Sequence, residues 1–211
     1  MIVKKILSLA ASIIKLFIII LLFNSNTKAE EKNIKYYSND RGILALMYHR
    51  FDENKYPSTN IKMAIFKKQI KIIKGLKYNF YDPKNLEKSF YTPKIEKKIL
   101  ITIDDAFSSF YEIAWPYLKK EKVPFILFVS TKTVGKNGYM TWSQIKELEK
   151  ENTVYIGNHS HSHSYLVDLK NEEFVNDIDN STSIFKEKLG YNPIFFSVFE
   201  IEKFFSKFLG S

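Results

Sequence analysis

Five residues in a row, Ile99-Leu100-Ile101-Thr102-Ile103, run straight into the carboxylates of Asp104-Asp105. A short, largely apolar run of this kind reads as a strand, which delivers the two carboxylates to its C-terminal end. The same grammar recurs along the chain. Residues 43–48 form a short, nearly continuous apolar run whose length suits a strand buried on both faces, ending in His49-Arg50-Phe51, and residues 125–129, Phe-Ile-Leu-Phe-Val, read as a further buried strand. Residues 154–156 lead through Gly157-Asn158 into His159-Ser160-His161-Ser162-His163. The spacing between these runs leaves room for a helix each time. Strands alternating with helices at that interval predict βαβ units and a parallel sheet. Parallel sheets carry their chemistry at the C-terminal ends of the strands. His49, the Asp104-Asp105 pair and the histidine cluster each follow such an end.

The helical stretches are legible from period and caps. Ile65, Phe66, Ile70, Ile73 and Leu76 keep helical spacing over 62–76, with lysines between them as a solvated face. A helix is expected over 108–120, where Pro116 either kinks it or opens a new first turn. Thr141-Trp142-Ser143-Gln144 is a capping-box pattern for a helix through Glu149, and Trp142 reads as packing. Residues 171–189 form a longer helix stopped by Gly190 at a C′ position. Residues 52–60 read as a loop and 194–199 as a last strand. Residues 78–98, with Pro83 and Pro93, give no element.

The N-terminus looks like an address. Lys4 and Lys5 precede an apolar run over 6–23, broken by Lys15, and Thr27-Lys28-Ala29 offers a small-residue exit. Residues 1–29 therefore predict a secretory signal peptide or an uncleaved N-terminal anchor. Either one exports the remainder to the periplasm, cell envelope or exterior. Polar residues 30–42 read as a linker, and residues 43–211 as the folded domain. The formal charge of +9 falls by four, to +5, once the acid-free leader is set aside. The remaining lysines are dispersed among Glu, Asn, Ile and Phe, so no basic stripe for nucleic acid is expected. The chain has no cysteine, which excludes disulfides and thiolate-bound zinc.

Carboxylate and imidazole remain as ligands for a divalent metal. His159 and His163, four apart, can reach one ion from a helical turn or a tight loop, and one aspartate completes a three-ligand set. Three protein ligands keep a position open for water, and the second aspartate is then placed to act as a base. Zn²⁺ suits this set best, with Co²⁺, Ni²⁺ and Mn²⁺ as alternatives. His161 is expected to point away from the ion. Each feature also has a plainer structural reading: the Asp pair as a turn or helix cap, and His49 as a hydrogen-bonded strand-end residue. Their coincidence at three strand ends favours one site.

At these residues a family resemblance appears. Thr102-Ile103-Asp104-Asp105-Ala106 resembles the Thr-Phe-Asp-Asp-Gly motif of the NodB-homology polysaccharide deacetylases (carbohydrate esterase family four). Gly157 to His163 resembles that family's second motif, two histidines four apart with Ser or Thr after the first. The match runs over about 43–196. It implies an α/β fold, a distorted (β/α) barrel, and hydrolysis of acetyl groups on a polysaccharide, N-acetyl groups of GlcNAc-type sugars first. It implies that Asp105, His159 and His163 bind the metal, that Asp104 is the general base, and that Ser160 holds the histidine loop. Tyr48-His49-Arg50-Phe51 resembles the first strand end of a permuted branch containing exported poly-N-acetylglucosamine deacetylases, which implies that His49 is the general acid. Two departures stand out. Ala106 replaces Gly, a cost if the turn needs positive φ. Val198-Phe199-Glu200 replaces a family segment that supplies a backbone N–H to the oxyanion. With the end at Ser211, this gives the expectation of a barrel incomplete at its C-terminus. The alternative function is a catalytically impaired relative that keeps metal and glycan binding.

Overall fold

The computed structural model describes residues 43–76, 78–89 and 98–197. The expected leader and linker, and the expected departure at 198–200 and C-terminal incompleteness, lie outside these residues. Among the described residues no helix is long and apolar enough to cross a membrane.

Among the described residues eight strands and five α-helices follow in order: β1 (Leu44–Tyr48), β2 (Arg50–Phe51), β3 (Asn60–Ile61), α1 (Met63–Gly75), β4 (Asn79–Phe80), α2 (Leu86–Ser89), β5 (Lys98–Ile103), α3 (Trp115–Glu121), β6 (Phe125–Val129), α4 (Trp142–Glu149), β7 (Val154–Asn158), α5 (Asn171–Leu189) and β8 (Phe195–Phe196). The main sheet has the order β1-β5-β6-β7-β8, with β4 also on β5. Every paired strand in it is parallel, as the alternation of elements predicts. The sheet curls into part of a (β/α) barrel. A separate two-residue parallel ribbon joins β2 to β3.

Strand alternation sorts the side chains onto two faces. Ile99, Ile101, Ile103, Phe125, Leu127, Val129, Val154 and Ile156 join the main core, with Phe66, Ile70 and Leu118 from the helices. Leu100, Ile126 and Phe128 form a smaller cluster on the other face, with Tyr155 and Phe195 against it. Residues of β5 and β6 are therefore buried on both sides, which is why β6 is continuously apolar and β5 nearly so, with Thr102 its one polar residue after Lys98.

β1 departs from the expectation of burial on both faces: Leu44 is 52% and Met47 61% exposed. Among the described residues its paired neighbour is β5 alone, so it ends the row of described strands. The core stripe of α1 is Met63, Phe66, Ile70 and Ile73, while Ile65 and Leu76 face outward. Pro116 falls in the first turn of α3, after a π-helical turn over Phe110–Ala114, so it opens a helix instead of bending one. Thr141 and Gln144 form the expected reciprocal cap of α4. Gly190 ends α5 at φ 87°, a left-handed conformation that glycine adopts without steric cost. Trp142 packs edge-on against Phe185. Over 78–89, where the sequence shows no element, lie β4, a 3₁₀ turn at Pro83–Asn85 and α2.

Candidate active site

Register puts the chemistry in one row. Tyr48 pairs with Ile103, Ile103 with Leu127 and Leu127 with Ile156. The residues that follow, His49, Asp104 and the segment into His159, therefore leave the sheet along the same rim. Asp104 N–H still donates to the Tyr48 carbonyl at 2.8 Å, so His49 and Asp104 begin side by side.

The chain then turns sharply. Asp105 (φ 70°) and Ala106 (φ 54°) are both left-handed. Aspartate tolerates this region, whereas alanine gives up roughly 1 kcal/mol there. Ala106 thus stands where the turn does require positive φ. The turn is pinned from above: Met140 N–H donates to the Ala106 carbonyl and Ser108 N–H to the Gly138 carbonyl, at 2.8 and 2.9 Å.

The histidine loop is held by side chains. Asn158 Oδ1 accepts from Ser160 N–H at 2.8 Å, and Ser160 Oγ accepts from His163 N–H at 3.0 Å. Asn158 Nδ2 donates to Ser181 Oγ of α5 at 2.9 Å. Asp177, also of α5, accepts from His161 N–H at 2.7 Å and Ser162 N–H at 2.9 Å. His161 is half-buried, its Nδ1 2.8 Å from Thr131 Oγ1, and it stays out of the ligand group.

Asp105, His159 and His163 converge, their donor atoms within 4.8 Å of one another. His163 Nε2 lies 2.8 Å and His159 Nε2 3.7 Å from Asp105 Oδ1. Asp104 Oδ2 is 3.9 Å from His159 Nε2. His159 Nδ1 sits 2.9 Å from the Ser197 carbonyl, which can only accept, so Nδ1 carries the proton. The His159 Nε2 lone pair then faces Asp105, the tautomer a metal ligand needs. Asp104 Oδ1 is buried without a hydrogen-bond partner. Two neutralisable imidazoles, one carboxylate and an orphaned carboxylate oxygen beside them fit a divalent cation with an adjacent base.

The electrostatics agree with that arrangement. Burial, then the charge of Asp105, pushes Asp104 up to about 7 against the opposing pull of His163. Burial also raises Asp105, but contact with His163 and the charges of His159 and His49 more than offset it and leave it below the usual range. His163 is raised, chiefly by its hydrogen bond to Asp105. Burial lowers His159 and His49. The charges acting on His49 are Asp105, which raises it, and His163 and Arg50, which lower it further. Arg50 is fixed by Glu53 at 2.9 Å and stacks 3.4 Å above the centre of the Phe107 ring.

All five residues singled out in the sequence thus come to one rim. Sequence reasoning missed Asp177, Ser181 and the Ser197 carbonyl. The buried stripe of α5 is Asp177, Ser181 and Phe185. Two polar residues on an i, i+4, i+8 core face were the available signal; a backbone carbonyl leaves none.

Comparison with known proteins gives a consistent result. The family model described as polysaccharide deacetylase matches residues 92–198. YxkH of Bacillus subtilis (strain 168) is 27% identical over 142 residues, 66% of this chain and 50% of that protein. The poly-beta-1,6-N-acetyl-D-glucosamine N-deacetylase of Staphylococcus aureus (strain MSSA476) is 28% identical over 152 residues, covering 62% of this chain and 51% of that protein. The chain spans about half the length of the curated relatives it matches. IcaB from Ammonifex degensii superimposes with a TM-score of 0.69 at 27% identity, covering 77% of each chain.

Proposed function

Because this chain belongs to the polysaccharide deacetylase family, we propose that it is an exported, metal-dependent hydrolase. It removes N-acetyl groups from a GlcNAc-type polymer, poly-β-1,6-N-acetylglucosamine being the first candidate. The name of the Staphylococcus aureus relative supports that substrate, and the leader pattern of residues 1–29 supports export. The observation that carries the reading is the convergence of Asp105, His159 and His163 beside the buried, unpartnered Asp104 Oδ1.

Asp105 Oδ1, His159 Nε2 and His163 Nε2 would hold the cation, Zn²⁺ by preference and Co²⁺, Ni²⁺ or Mn²⁺ as substitutes. When bound, it supplies Lewis-acid polarisation of the acetyl carbonyl and lowers the pKa of water. Asp104 takes the proton of the attacking water on Oδ1. Burial pushes Asp104 up to about 7 in the metal-free site, and a nearby cation would lower it towards the ionised form that a base needs. His49, on the same rim, gives its proton to the nitrogen as the C–N bond breaks. Burial opposes the imidazolium that this step needs and Asp105 favours it, with burial the stronger of the two. Ser160 and Asn158 hold the backbone of the loop that carries the two imidazoles.

Acetate release from an acetylated β-1,6-glucosamine oligomer, with an acetylated chito-oligomer alongside, tests the reading. The Zn²⁺-loaded protein should release acetate, and Asp104→Asn should lower the rate by about 10²–10⁴-fold. Equal background release by both proteins would end the enzyme assignment and leave a metal- and glycan-binding relative.

A further inference from the structure

Six consecutive backbone N–H groups, from His159 to Ser164, all have partners, and only the first is a main-chain carbonyl. His159 N–H donates to the Val129 carbonyl. Ser160 donates to Asn158 Oδ1, and His161 and Ser162 donate to the two oxygens of Asp177. His163 donates to Ser160 Oγ and Ser164 to Ser162 Oγ. Within this loop Ser160 (φ 66°) and His163 (φ 59°) are left-handed without being glycine. Such residues persist only where their surroundings over-determine them.

One carboxylate stands out among these restraints because it comes from outside the loop. Asp177 is 7% exposed, and among the described residues no Lys or Arg forms an ion pair with it. Its charge is met by N–H dipoles instead, in two hydrogen bonds strengthened by that charge. Burial raises its pKa, but Ser162 and His161 more than offset this and hold it below the usual carboxylate value. The two N–H groups it gathers lie midway between His159 and His163. One turn further along α5, Ser181 fixes Asn158 at the start of the same loop.

We propose that Asp177 is the positioning residue of the metal-ligand loop: fixed on α5, its carboxylate clamps the backbone midway between His159 and His163 and presets both imidazoles for a divalent cation. The proposal rests on the metal reading above and goes beyond it by assigning the loop's shape to a residue that touches no ligand side chain. Removing such outer partners typically weakens metal binding 10–100-fold.

The test uses Co²⁺ as the probe, titrated into chelator-stripped wild type and Asp177→Asn, with d–d absorption and thermal melting recorded for both. The expected result is a folded variant whose Kd for Co²⁺ rises about 10–100-fold with altered d–d bands. A folded variant with the wild-type Kd and spectrum, even with a lower Tm, overturns the proposal and leaves Asp177 a stability residue. Failure of the wild type itself to bind Co²⁺ overturns the metal reading and this proposal with it. Amide hydrogen exchange of the wild type gives a result that does not depend on the variant folding. The His161 and Ser162 amides should be protected before any metal is added. Fast exchange there, slowed only by Co²⁺, contradicts a preset loop.

Discussion

His49, Asp104, Asp105, His159 and His163 were legible because each follows a strand whose apolar run stops abruptly. The two adjacent aspartates differ physically, which supports giving them the separate roles proposed above. Asp105 turns outward in a left-handed conformation and meets His163, whereas Asp104 stays buried with one free oxygen. Neither the Ser197 carbonyl on His159 nor the carboxylate of Asp177 on the loop could be read from the motifs, since both come from elements distant in sequence. The assignment of His49 makes a prediction at this scale. His49→Gln should lower kcat by roughly 10²–10³-fold, as loss of a general acid does, and leave metal stoichiometry unchanged. Steady-state kinetics with metal analysis decides this; wild-type kcat in the variant would remove His49 from the chemistry.

Elements were legible in proportion to their periodicity. The buried strands β5 and β6, the capping box of α4 and the glycine stop of α5 carry unmistakable local patterns. β2, β3 and β4 are two residues long, too short to show any period, and are fixed by pairing alone. The last turn of β7 hides another constraint. A Cβ on Gly157 would lie 2.4 Å from a ring carbon of Phe128, whose ring neighbours His159. Gly157→Ala should therefore destabilise the protein by about 1–3 kcal/mol, as overpacking does. Chemical denaturation measures it, and an unchanged midpoint would mean that Phe128 moves aside freely. α5 carries a pH-dependent contribution through Asp177. Its folded pKa is held below the ordinary 3.8, so its stabilisation is fully present above that value and is lost as pH falls through the folded pKa. The stability gap between wild type and Asp177→Asn should accordingly be largest at neutral pH and shrink as the acid arm of a pH–stability curve is descended. A gap that widens in acid would contradict the depressed value.

At the scale of the whole molecule, the parallel order β1-β5-β6-β7-β8 does one thing for function: it levels the ends of strands far apart in sequence. Forty-eight residues into the chain, Tyr48 is already in register with Ile103, and through β6 with Ile156. Alternating strands and helices made that parallel sheet legible. The exposure of β1 was not, because an apolar run reads alike in the middle of a sheet and at its end. The ligand group Asp105, His159 and His163 comes from the ends of two strands, β5 and β7, and meets only if the sheet forms, so metal binding reports on the fold and the site together. The most direct measurement is calorimetric titration of Zn²⁺ into the chelator-stripped chain, beside Asp105→Asn and His163→Ala. One ion per chain is predicted for the wild type, with binding lost or weakened by orders of magnitude in either variant. Wild-type titration without heat of binding, or variants that bind as the wild type does, would contradict the account.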